Sequence, residues 1–295
     1  MMGVLLNRAL TIVHQRSGRT PEGALEIAMR KLYVRAIRRS NPITIFMNGQ
    51  RLHVFHRSTP ADLFVIWQCF NRQQYEIPVP EFHRPYHKLA LEDRYKEILA
   101  RGKRPLIVDC GANIGTSSLW FHARYPESHI IAVEPAPDNA QVLRENCAGS
   151  GIEVVEGAIA ATDAVMSLVD PNESTNGYRT VPVDHSGQGT GTEVKGLSLA
   201  TLLARESVTS CEPFLLKVDV EGSEKSLFTC DWPSFDRFPL IILEQHDFMM
   251  PGRSTADSFL HYHAARQRDF LYGTENIFSV DYKALAQAVP ADIVA

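Results

Sequence analysis

Leu106-Ile-Val-Asp-Cys-Gly-Ala-Asn-Ile-Gly-Thr-Ser-Ser-Leu119 is the stretch that decides the fold. Leu106, Ile107 and Val108 form a short unbroken apolar run, the pattern of a strand covered on both faces in a parallel sheet, and Pro105 marks its start. Gly111 and Gly115 frame a tight turn, and Ile114, Leu119 and Phe121 supply the apolar side of a following helix. The expected unit is strand, turn and helix with backbone amides facing a ligand.

Charge and one missing glycine select among ligands. A dinucleotide loop reads G-x-G-x-x-G, its second glycine letting the backbone approach a pyrophosphate, but that position here is Asn113. Asp109 at the strand's carboxyl end would repel a pyrophosphate and attract a cationic amino-acid ligand such as S-adenosylmethionine (SAM). Glu134 closes the next strand, His129 to Val133, at about the ~20-residue spacing where an acidic side chain meets a ribose hydroxyl. The two carboxylates favour a SAM site over an NAD site.

Outward from this stretch, the pattern alternates strand and helix to the C-terminus, as in an open doubly wound sheet. Asp138 to Cys147 reads as a helix and Ile152 to Val155 as a strand; Gly157 and Ala158 follow where an adenine ring could lie against backbone. Ala164 to Val169 reads as an added strand. Asp170 to Gly196, rich in Gly, Ser, Thr and Asn and carrying Tyr178 and His185, is expected to be a mobile loop on the substrate side. Phe214 to Val220 and Leu240 to Leu243 are buried strands ending in Lys217, Asp219, Glu221 and Glu244-Gln-His-Asp247. Their ends belong over the same crevice as Asp109. A helix near 255–266 and strands at 270–272 and 277–280 close the sheet.

Residues 1–105 read as an N-terminal extension of helices and a hairpin, the latter turning at Asn48-Gly49, that could cover the pocket, pair two subunits or recruit a carrier. Helices are expected over Pro21 to Arg39, from Pro60 (capped by Thr59) towards Phe70, and over Leu89 to Ala100. The net charge of −4 hides an asymmetry: the extension has 18 Lys/Arg against 8 Asp/Glu, and the remainder 12 against 26. Such a basic segment can meet nucleic acid, anionic lipid, an acidic partner or the acidic remainder of its own chain. Five scattered cysteines without a C-x-x-C pair suit a reduced cytoplasmic chain without structural zinc. Met1 to Val13 is interrupted by Asn7 and Arg8 and does not read as a signal peptide, though an amphipathic helix resting on membrane stays open. No apolar run is long enough to span a bilayer.

Four motifs, Val108-Asp-Cys-Gly-Ala-Asn-Ile-Gly115, Val133-Glu-Pro-Ala-Pro-Asp-Asn139, Leu216-Lys-Val-Asp-Val-Glu-Gly-Ser-Glu224 and Leu243-Glu-Gln-His246, resemble those of FkbM-type SAM-dependent methyltransferases in order and spacing. The resemblance covers about residues 55 to 280. It implies an α/β, class I (Rossmann-like) methyltransferase fold: a doubly wound, mostly parallel sheet with an antiparallel C-terminal strand. It further implies O-methylation of a hydroxyl on a sugar or natural product. Carried over to this chain, the cofactor set is Asp109, Gly111, Ala112, Asn113, Gly115, Glu134, Pro135, Asn139, Gly157, Ala158 and Asp219. Residues 1–54 and the Gly-rich loop lie outside the resemblance.

Methyl transfer to a hydroxyl requires an oxygen aligned on the methyl carbon and a group to take its proton. His246 is the leading general base, with a backbone-bonded structural histidine as its equal. Lys217 and Asp219 act in catalysis or fix substrate or each other as a buried pair. Glu221, Glu244 and Tyr178 are placed on the substrate side. A divalent metal on Asp219, Glu244 and His246 is compatible with the residue types but not demanded by their spacing. A small-molecule hydroxyl is the expected partner. Ribose methylation through the basic segment, a non-catalytic SAM-binding protein, an NAD-linked oxidoreductase and a homodimer paired through the extension are the alternatives.

Overall fold

The computed structural model describes residues 24–80, 82–169, 178–182 and 191–285. Its centre is a seven-stranded sheet built from β3 (Arg104–Cys110), β4 (His129–Glu134), β5 (Glu153–Glu156), β10 (Cys211–Val218), β11 (Leu240–Glu244), β12 (Asp269–Gly273) and β13 (Asn276–Val280), in the spatial order β12-β13-β11-β10-β3-β4-β5. Six of the seven residues of β3 and all six of β4 are buried, the two-sided covering read from the apolar run. β3 pairs in parallel with both β4 and β10. β13 alone in this sheet runs antiparallel to both its neighbours. This is the class I methyltransferase fold that the motifs implied.

From β3 the chain fills the sheet towards β5, then returns to β10 and works the other way. The order reverses at the β3/β10 pair, and a crevice opens over the carboxyl ends of those two strands. Gly111 makes the close approach there possible. Its φ is +79°, and a Cβ added to it would lie 1.8 Å from the Asp219 carbonyl oxygen.

The described residues before 106 pack onto the sheet. α1 (Ala24–Ile37), the β1–β2 hairpin (Ile43–Met47, Gln50–Val54) and α2 (Pro60–Ile66) pack Tyr33, Ile45, Val54, Leu63 and Ile66 against Ile114, Leu119 and Ala123 at the start of and along α4 (Thr116–Arg124). The intervening α3 (Tyr86–Ala100) sets Ala90, Leu91 and Ile98 into the core beneath β3 and β10. Each fully buried aliphatic side chain contributes about 1.5–3 kcal/mol. Apolar burial therefore holds residues 30–100 onto the sheet, and the charge contrast between the two halves marks no boundary. Thr59 caps α2 as read, its Oγ accepting from the Asp62 N–H at 3.1 Å.

The stretch 170–196 is not one loop. β8 (Arg179–Pro182) and β9 (Thr192–Leu197) pair with β7 (Ala164–Val169), and β9 also meets β6 (Ala158–Ile159), making a four-stranded sheet beside the crevice. His185 and most of the Gly-rich run, like Met1 to Val13, lie outside the described residues.

Candidate active site

Two adjoining cavities occupy the crevice. The first, of about 60 Å³, is lined by Glu134, Pro135, Asn139, Ala158, Ile159 and Tyr178. The second, roomier at about 300 Å³, takes walls from the N-terminal segment (Phe64, Gln68, Cys69, Gln74, Tyr75) and from Lys217, Glu244, Phe248 and Glu275. Gly111, Asn113, Asp219 and Glu221 line both, so the cavities meet at the ends of β3 and β10.

Asp109 does not face this space. It is fully buried; Ser117 and Ser118 of α4 each donate a hydroxyl hydrogen bond to its Oδ2 at 2.6 Å, and Lys217 Nζ lies 3.2 Å from its Oδ1. The carboxylate is consumed in tying β3 to α4 and to β10, which corrects its assignment as a direct contact to a cationic ligand. The amides of the turn are also spent: Gly111 and Ala112 donate to the Val133 carbonyl, Gly115 to Ala112, and Asn113 to Glu134 Oε2. The loop therefore offers side chains and a surface to the cavity where backbone donors were expected.

Lys217, 1% exposed, also donates to the Gly111 carbonyl at 2.8 Å and lies 3.3 Å from Asp219 Oδ2. Burial opposes its charge, but Asp109, Tyr75 and Asp219 outweigh that and hold the ammonium well above its usual range. It is a locked cation rather than a proton acceptor. Of the two roles read for it, the buried pair is the one present.

Glu134 is 4% exposed, and its oxygens are aimed by the Asn113 and Ala136 amides and by Asn139 Nδ2. Burial pushes its carboxyl up to about 6 against those hydrogen bonds. Asn139 in turn accepts from Arg57 at 2.9 Å, and Arg57 is clamped on the buried Asp62 at 2.7 Å. The N-terminal segment thereby braces the wall of the first cavity, across 82 residues of sequence. Gly115 and Gly157 act behind the walls: a Cβ on Gly115 would meet Leu143 at 2.7 Å, and one on Gly157 would meet the Lys195 carbonyl at 2.9 Å. Ala112 reaches the second cavity, and Pro135 and Ala158 reach the first.

His246 sits at the carboxylate-rich end, 1% exposed. Its Nδ1 is 2.7 Å from Glu224 Oε1, while Nε2 is 3.5 Å from Glu221 Oε2, 3.6 Å from Asp219 Oδ1 and 4.0 Å from Glu244 Oε1. Burial disfavours its charge, yet Glu224, Asp219 and Glu221 push its pKa up to about 10. At neutral pH it keeps its proton, so the geometry does not supply the free lone pair that a general base needs. Burial and then Asp219 push Glu221 up to about 7 and hold Glu244 well above the carboxylate range. The triplet whose ligand atoms converge is Asp219, Glu221 and His246, not the set with Glu244.

Glu224, fully buried, is the site residue that sequence reading left without a role. Nothing local pointed to it, since Glu221 sits in a left-handed turn at φ +53° and the helix begins only at Glu224. Gln68, Gln74 and Glu275 carried no local signal, since only folding brings them to the second cavity.

A family model described as the methyltransferase FkbM domain matches residues 109–272, more than half of the chain. Methyltransferase sdnD of Sordaria araneosa is 30% identical over 167 residues, 47% of this chain and 64% of that protein. The 31-O-demethyl-FK506 methyltransferase FkbM of Streptomyces tacrolimicus is 28% identical over 175 residues, 48% of this chain and 65% of that protein. The matched region thus spans less than two thirds of these relatives. The N-terminal domain of human METTL16, solved in complex with SAH, aligns over 90% of this chain and 94% of that one with a TM-score of 0.36 at 10% identity. With the matched region beginning at Asp109 and running through both cavity-forming strand ends into β12, the chain belongs to the FkbM methyltransferase domain family.

Proposed function

We propose that the chain is a SAM-dependent O-methyltransferase whose acceptor is a hydroxyl of a small molecule. The observation that carries this reading is the meeting of the two cavities at Asp219 and Glu221, since group transfer needs donor and acceptor compartments sharing one contact point. SAM, when bound, supplies a methyl carbon activated by a sulfonium sulfur.

The first cavity fits that donor. Glu134, oriented by two amides and Asn139, would accept the ribose hydroxyls, and Pro135, Ala158 and Ile159 provide an apolar wall for the adenine. Asp219 and Glu221 place negative charge where the cationic end of the donor must lie. Lys217 and Asp109 hold the two strand ends in register, Asp109 behind the cavities and Lys217 at the wall of the second. On the acceptor side, Gln68, Gln74, Glu244 and Glu275 can exchange hydrogen bonds with hydroxyls, and Tyr75 and Phe248 offer apolar faces. The carboxylates at the junction take the hydroxyl hydrogen as the oxygen attacks. An oxygen acceptor also agrees with the name of the relative that acts on 31-O-demethyl-FK506.

The test is calorimetric titration of the folded protein with SAM and, in parallel, NADH, followed by labelled methyl transfer to a panel of sugar and polyketide alcohols. Saturable binding of SAM alone, with label appearing on an acceptor oxygen, is expected. A folded sample that does not bind SAM overturns the proposal.

A further inference from the structure

The arrangement around His246 differs from that of an ion pair. A histidine bonded to a carboxylate for its own sake would bring the two to about 2.7–2.9 Å. Nδ1 does this with Glu224, at 2.7 Å. Nε2 does not: it stands at nearly equal distances from Glu221 Oε2 and Asp219 Oδ1, 3.5 and 3.6 Å, too long for hydrogen bonds. Glu221 Oε2 is itself buried with no hydrogen-bond partner. A ring nitrogen with its carboxylate neighbours at 3.5 Å or more, on a side chain only 1% exposed, and a buried oxygen without a hydrogen-bond partner thus face one point.

The three ligand atoms all lie within 4.8 Å of one another. Around a cation at about 2.1 Å from each donor, neighbouring ligand atoms stand about 3 Å apart and opposite ones about 4.2 Å. The two separations from Nε2, 3.5 and 3.6 Å, fall between these values. The hydrogen bond from the other ring nitrogen to a buried carboxylate is the support that fixes a metal-bound imidazole and aims its free nitrogen. Charge points the same way. Lys217 stands between Asp109 and Asp219, and Asp219, Glu221, Glu224 and Glu244 gather around one imidazole.

We propose that Asp219, Glu221 and His246 bind a divalent cation, with Glu224 holding the imidazole from behind. Two carboxylate oxygens and one nitrogen suit Mn²⁺ better than the all-oxygen preference of Mg²⁺ or Ca²⁺. Occupancy replaces the His246 Nε2 proton with the metal bond. What the cation does rests on the function proposed above; that it binds does not. Because Asp219 and Glu221 line both cavities, the ion faces the acceptor. A hydroxyl oxygen bound to it is acidified and gives its proton to water. The oxygen's electron pair then forms the bond to the methyl carbon, the carbon–sulfur bond breaks, and its pair returns to sulfur.

The experiment uses the full chain stripped of metal by a chelator, with Mn²⁺ titrated and the free ion followed by electron paramagnetic resonance. SAM affinity is measured separately by calorimetry. One saturable Mn²⁺ site is expected, weakened about tenfold or more in Glu221→Gln, an isosteric change at a partly exposed residue. Bound Mn²⁺ should also show spin-echo modulation from a directly coordinated nitrogen, absent in His246→Gln. Asp219→Asn provides a second ligand variant should His246→Gln fail to fold. Absence of saturable binding at millimolar Mn²⁺, equal affinity in Glu221→Gln, or a bound ion without nitrogen modulation overturns the proposal. Mn²⁺ binding by a protein that does not bind SAM would refute the methyl-transfer reading and leave the cation site standing.

Discussion

Replacing Asp109 separates a cofactor contact from a structural tie. In the fold its carboxylate accepts two serine hydroxyls at 2.6 Å and stands 3.2 Å from the buried Lys217 ammonium. Removing one partner of a buried ion pair costs about 3–5 kcal/mol. Lys217 keeps Asp219 at 3.3 Å and the Gly111 carbonyl at 2.8 Å, which places the loss near the lower bound. Asp109→Asn, which leaves an oxygen for the serines, should therefore cost about 3 kcal/mol. Asp109→Ala adds two unpaired hydroxyls at about 1 kcal/mol each, giving about 5 kcal/mol. At roughly 2–4 °C per kcal/mol, the asparagine variant should melt about 6–12 °C lower. Urea unfolding followed through the buried Trp120 gives the stability, and calorimetry at low temperature gives the SAM affinity of the folded variant. The expected outcome is a large fall in stability and a change in affinity of less than about tenfold, or 1.4 kcal/mol. An Asp109→Asn protein with unchanged melting that no longer binds SAM would refute the tie and restore Asp109 as a ligand.

Two further outcomes follow from the same geometry. Glu134, with its carboxyl near 6, is charged above that pH and neutral below it, and a ribose hydroxyl binds the charged form better. The SAM dissociation constant should then be flat above pH 7 and rise by up to about tenfold per unit below pH 6, a slope that Glu134→Gln abolishes; an equal slope in the variant assigns the titration elsewhere. Gly111→Ala forces a Cβ to 1.8 Å from a backbone oxygen at φ +79°, whereas Gly149→Ala meets nothing within 4 Å at φ +77°. The second should cost about 1–2 kcal/mol from backbone conformation alone and the first on the order of 4 kcal/mol or more, as read by urea unfolding; similar losses would show that the β3/β10 contact is dispensable.

The sheet was legible because its signals are local. Leu106 to Val108, the strand 129–134 and Leu240 to Leu243 are apolar runs that make sense only when buried on both faces, and their alternation with helices imposes the parallel order. The strand ends carried the site for the same reason: Glu134, Asp219 and Glu221 sit where the topology opens the crevice, and each lines it. How the extension attaches was not legible, because its basic charge is a surface property while its attachment runs through Val54, Leu63 and Ile66 packing on α4, contacts between residues far apart in the chain. The reading of 170–196 as one loop failed likewise. The β8 and β9 residues have weak patterns of their own and become strands by pairing with β7.

Sequence alone thus determined the fold class, the family and which strand ends bear the polar residues, since these depend on periodicity and on neighbours within a few positions. Tertiary structure decided the roles. Whether a carboxylate is a ligand, a tie or a buried partner depends on burial and on the charges opposite it. Asp109 was taken out of the cavity by Lys217, 108 positions away, and His246 was turned towards Asp219 and Glu221 by Glu224, 22 positions away. Electrostatic environment is set by distance in space, and only folding fixes that distance.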